Sequence, residues 1–263
     1  MPARWPKHSR RAGILGAHSG RDGSSTAARR QRVGQHVSGT LQDALHNIVA
    51  LQTHLPVTTS VILGVAALGA ATLPGISVLT QHFNTMAHEG AHAAMGSVTG
   101  RRVTGMTMRG NGEGRTTLTR PKGLGFLLAG IVGYLGPSAF GLGAAKLIQV
   151  GHIVAVLWLS LLALVCLAVM VRRSGFGLAA VLASGIVLFL VARYAPLGAD
   201  IALAYGIAWF LLVSGVRVVV QHGRHASDAV ILRQLTKLPP SLWAAFWLLG
   251  SVAALLLGGR WLV

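Results

Sequence analysis

Three residues in the stretch Thr85-Met86-Ala87-His88-Glu89-Gly90-Ala91-His92 have the types and spacing for metal-assisted hydrolysis. On a helix, positions four apart share a face, so His88 and His92 can hold one ion from the same side. Glu89 falls about 100° from His88 and roughly 60° from His92 at 3.6 residues per turn. Its carboxylate then stands beside the ion rather than on it, where a general base for an activated water belongs. Asn84, one turn ahead of His88, lies on the ligand face and can orient a ligand or a bound peptide, or bond to a neighbouring helix. The plain alternative for the histidines is a pair satisfied by hydrogen bonds inside a helical bundle. Ionisable groups at membrane depth are costly, and that cost favours a functional role.

Zinc hydrolases commonly use three protein ligands and leave a position for water. Cys166 is the single cysteine and sits in an apolar run, so the third ligand must be His, Asp or Glu. Of the six acidic residues, Glu113 and Asp200 fall in turn-like loops, whereas Asp228 opens a helical segment that ends at Pro239-Pro240. Asp228 is the candidate third ligand. His222 and His225 are its rivals, and Ser227 or Asp228 can instead simply cap the following helix.

The elements that must position these groups are membrane helices. Of 263 residues, 52% are hydrophobic and 11% charged, and the mean hydropathy is +0.60, the profile of a polytopic membrane protein. Apolar segments at about 57–73, 76–98, 123–144, 152–171, 176–192, 199–220 and 241–259 predict an all-α bundle of about seven spans. Small residues around HEGAH make its helix thin and suited to the middle of the bundle. Gly136-Pro137, inside the third segment, is expected to break that helix and expose backbone beside a wet cavity, or to act as a simple kink. Residues 99–122 are basic and glycine-rich, and predict a small hairpin at the membrane surface. Its edge strand could receive an extended substrate by strand addition, and a plain connecting loop is the alternative.

The formal charge of +17 raises the question of nucleic acid. Residues 1–40 carry eight basic residues with little aromatic interleaving, and predict a disordered tail; a short surface helix is expected over 41–54, leaving 55–263 as the membrane-embedded domain. With the N-terminus cytoplasmic and seven spans, 20 of the 23 basic residues fall on the inner side, so membrane topology accounts for the charge without nucleic acid.

Three blocks carry a resemblance: TMAHEGAHAAMGSVTGRRVTG, then GYLGPSAFGLG, then SGVR followed by SDAVILRQLTKLP. Over about residues 57–260 the chain is similar to the site-2-protease-like zinc metallopeptidases, in their branch of small bacterial polytopic proteins. The resemblance implies a Zn2+ ion held by His88, His92 and Asp228, with Glu89 as the catalytic base. It also implies that Gly136 and Pro137 lie near the substrate path. Substrates would be membrane proteins cut in or near their membrane segments, in the inner membrane of a bacterium. A metal-binding transporter or sensor is the reading from another class, although no second HEGAH-like block supports the internal repeat common in transporters. A catalytically inactive relative is a third.

Overall fold

The computed structural model describes residues 48–223 and 226–263. The basic segment, residues 41–47 of the expected surface helix and the rival ligand His225 lie outside the described residues, and 50–54 are not helical. In chain order, the described elements are α1 (Val57–Thr72), α2 (Ile76–Val98), β1 (Val103–Met108), β2 (Gly114–Leu118), α3 (Leu124–Gln149), α4 (Ile153–Val171), α5 (Gly175–Tyr194), α6 (Leu197–His222), α7 (Ser227–Thr236) and α8 (Pro240–Leu262).

Helices α3, α4, α5, α6 and α8 are each long and apolar enough to cross a bilayer. Helices α1 and α2 form a pair bent by 98°, which adds at most one crossing. Among the described residues the count of candidate crossings is therefore five or six, and the expected seven is not confirmed. The physical reason lies at Pro74-Gly75, where Gly75 takes φ +83° and turns the chain. Sixteen residues also give α1 only about 24 Å, short of a hydrocarbon layer of about 30 Å. Outward-facing Leu159, Leu162, Val165 and Val169 on α4 and Ile186, Val187 and Leu190 on α5 supply apolar surface suited to lipid, and the chain is a multi-pass membrane protein.

Contacts at the helix ends sort the connections onto two faces. On one, Gln52 Oε1 accepts from the backbone N–H groups of Ile153 and Val154 at 2.7 and 3.1 Å, and so satisfies the start of α4. His54 Nε2 lies 2.9 Å from the Ile148 carbonyl, and Lys146 stands over the Trp261 ring. At the far end of α4, Ser174 Oγ donates to the Met108 carbonyl and accepts from the Met108 N–H, which ties down the hairpin. Arg101 closes the hairpin base by donating to the Thr99 and Lys122 carbonyls. Helix α2 keeps both ends on this hairpin side, with Gln81 under Gly112 and Thr99 beside Gly125.

Among the described residues, 101–122, 172–173, Arg217, Arg233 and Lys237 bring eleven of the fourteen basic residues beyond residue 48 to the hairpin face, leaving Lys146, Arg193 and Arg260 for the other. The N-terminal cations that the charge count also put on the hairpin face lie outside the described residues. Residues 52–54 meet the opposite end of α4, because α2 returns to the hairpin side instead of crossing.

Two further expectations change. The Gly136-Pro137 pair does not end its helix, since α3 runs unbroken from Leu124 to Gln149. Proline removes one N–H, so only the Gly133 carbonyl, four residues earlier, loses its helical donor. The hairpin also does not merely rest on the surface. Met106 and Met108 are buried with Met86, Ala93, Leu167, Val171 and Val181 between α2, α4 and α5. The strands are antiparallel, with Met106 opposite Thr116 and Met108 opposite Gly114.

Candidate metal centre

Helix α2 delivers His88, Glu89 and His92, as the spacing requires. Asp228 arrives from the first turn of α7, which folds back on α3 so that Leu232 packs over Gly130. His92 Nε2 is 3.1 Å from His88 Nε2 and 3.1 Å from Asp228 Oδ2, and His88 Nε2 is 3.2 Å from the same oxygen. Three ligand atoms thus form a nearly equilateral triangle. A tetrahedral ion with bonds of about 2.0–2.1 Å separates its ligand atoms by about 3.3 Å, so the triangle has the size such an ion needs.

The donor chemistry agrees. His92 Nδ1 lies 2.7 Å from the Ala129 carbonyl, which can only accept, so Nδ1 carries the proton and Nε2 presents its lone pair to the triangle. The His88 ring is held edge-on by Tyr134, with centroids 4.7 Å apart and planes at 86°. Tyr134 stacks on Trp247 at 4.6 Å, and Trp247 Nε1 donates to the Ile131 carbonyl at 2.8 Å. This ring wall joins α2, α3 and α8 and fixes the orientation of a ligand that would otherwise rotate. Room for an ion comes from Gly133, where an added Cβ would lie 2.4 Å from the His92 ring and 3.0 Å from Asp228 Oδ2. The residues present fit a divalent cation.

Of the two rivals for the third position, His225 lies outside the described residues. His222 is exposed at the end of α6 and outside the cluster, which comprises His88, His92 and Asp228. Asp228 does not serve as a cap, since Ala226 holds the N-cap position with no side-chain hydrogen bond and the Asp228 carboxylate turns to the histidines. Glu89 is buried beside the cluster at 3% exposure. Thr116 Oγ1 donates to its Oε2 at 2.5 Å.

Asn84 is buried, and its Oδ1 has no hydrogen-bond partner among the described residues. Gly136 packs directly on α2, where a Cβ would meet Ala91 Cβ at 2.5 Å and the Ala87 carbonyl at 3.0 Å. Pro137 is fully buried. The glycine of that motif which faces the triangle is Gly133, a residue that sequence reasoning passed over together with Tyr134, Gly114, Thr116 and Trp247.

No curated protein and no solved structure matches the chain. The family model described as Peptidase M50B-like matches residues 61–258, a stretch that contains HEGAH, Gly133 to Pro137 and Asp228, and the chain therefore belongs to the Peptidase M50B-like family, the site-2 protease family.

Proposed function

We propose that the chain is an intramembrane zinc peptidase that hydrolyses peptide bonds in or near membrane segments of other proteins. The observation that carries the reading is the triangle of His88, His92 and Asp228 with Glu89 buried at its side. Zinc bound there would polarise the scissile carbonyl and acidify water. The chain's own residues supply the rest. Glu89 accepts a proton from the attacking water and returns it to the leaving amine. The Gly133 carbonyl, freed by Pro137, and the unpartnered Asn84 Oδ1 offer acceptors to the N–H groups of an extended substrate strand running past Gly136-Pro137.

Water can reach these groups, because the side chains of His88, His92 and Asp228 keep 17%, 12% and 12% of their exposure. Gly133 stands nine residues into α3, about 14 Å along the helix axis from the hairpin end. Cleavage is therefore expected in the portion of the substrate nearest the hairpin face.

The first experiment is the metal content of the detergent-purified chain. About one zinc per chain is expected, with less than about a tenth of that in His92→Ala and Asp228→Ala proteins of matched folding. A well-folded parent without zinc would overturn the reading. Zinc retained in Asp228→Ala would remove that residue from the ligand set.

The same reading places the chain in a bacterial cell membrane with the basic hairpin face in the cytoplasm. In a Cys166→Ser background, Val263→Cys should react with a membrane-impermeant maleimide on intact cells. Arg115→Cys on the exposed side of β2 should react only after lysis. The reverse pattern would invert the orientation.

A further inference from the structure

The residues of the hairpin engage the site through Glu89. Strand β2 runs alongside α2, with Gly112 over Gln81, Gly114 over Thr85 and Glu89, Thr116 on Glu89, and Leu118 in the notch at Gly96. Six strand residues extend about 20 Å and fifteen helical residues rise about 22 Å, so the two elements stay in step. Gly114, Thr116 and Leu118 face α2, while Glu113, Arg115 and Thr117 alternate outward. Thr85 Oγ1 donates to the Gly112 carbonyl at 2.7 Å and pins this alignment.

The two oxygens of Glu89 meet different surroundings. Oε2 accepts from Thr116 Oγ1 at 2.5 Å. Oε1 faces Gly114, where an added Cβ would lie 2.5 Å away. One oxygen is held by a hydroxyl, and the other keeps open space because a side chain is missing.

We propose that Thr116 is the positioning residue for the general base, its hydroxyl fixing Glu89 Oε2 so that Oε1 takes the proton during hydrolysis. The proposal rests on the peptidase reading and adds that the site is complete only with the hairpin docked in register. A carboxylate anchored at neither oxygen swings by an ångström or more, and a misplacement of about 1 Å can cost roughly 100-fold in rate.

The experiment uses the zinc-loaded full chain in detergent with labelled unfolded casein as the probe, and Glu89→Gln as the control that defines background. Thr116→Val is expected to lower kcat about 10- to 100-fold with KM and zinc content unchanged. Thr116→Ser, which keeps the hydroxyl, should restore the rate. Gly114→Ala, which crowds Oε1, should lower kcat as well. Hydrogen exchange across residues 112–118 separates positioning from docking, and protection in Thr116→Val should match the parent. An unchanged kcat in Thr116→Val overturns the proposal, as does loss of zinc or of hairpin protection in that variant. A parent no faster than Glu89→Gln overturns the peptidase reading itself, a different result from an active parent indifferent to Thr116.

Discussion

Glu89→Gln should keep about one zinc per chain and lower peptide cleavage about 1,000-fold, the range expected when a general base is removed. The substitution is nearly isosteric. Glutamine retains an amide oxygen that can accept from Thr116, so the hairpin keeps its contact with α2. Glu89 is not part of the cluster of His88, His92 and Asp228, and its side chain is buried at 3% exposure. Exchanging a buried charge for a neutral amide of the same shape should not weaken the fold, so thermal unfolding should stay at or above that of the parent. What the amide cannot do is take a proton from water. Zinc analysis and a rate measurement on one preparation therefore separate chemistry from assembly. Cleavage retained within tenfold would remove Glu89 from the mechanism, and zinc lost with the glutamate would make it a ligand support instead of a base.

The parts of this site legible in the sequence are those fixed by local geometry. HEGAH needs only the helical repeat to bring His88 and His92 together, and a helix is what forms. Asp228 was left with rivals because it joins the histidines across 136 residues, through the fold-back of α7 that no local pattern encodes. The same gap explains the glycines of GYLGP. Gly133 and Gly136 lie about 60° apart on α3. Which of them faces the metal site and which packs on Ala87 and Ala91 depends on the rotation of α3, which is set by its neighbours. The count of seven crossings is not confirmed for a related reason, since apolar length records where a helix can be buried and not whether it returns to its starting face. The hairpin was legible as a basic, glycine-rich stretch over 99–122, but the partners of Gly114, Thr116 and Leu118 on α2 follow only from docking.

Gly133→Ala should give a stable protein that has lost its metal. Within a helix, alanine is favoured over glycine by about 1 kcal/mol, so the substitution should strengthen α3 where nothing opposes it. What opposes it is the site, because the new methyl would stand 2.4 Å from both Cε1 and Nε2 of His92 and 3.0 Å from Asp228 Oδ2. The ring cannot simply turn aside, since its Nδ1–H is held at 2.7 Å by the Ala129 carbonyl, one turn earlier on the same helix. Either that bond breaks or the triangle opens, and each change spoils the lone-pair directions that an ion requires. Zinc affinity should fall at least about 100-fold, the upper range for disturbing the groups that orient a ligand. Gly136→Ala provides the contrast, because its methyl would strike Ala91 Cβ and the Ala87 carbonyl and push α2 away from α3. That variant should lose unfolding temperature first and zinc only as a consequence. Competition with a chelator and thermal unfolding of the zinc-free proteins distinguish the two patterns. A Gly133→Ala protein that binds zinc as tightly as the parent would show that the ion does not sit at the triangle of His88, His92 and Asp228.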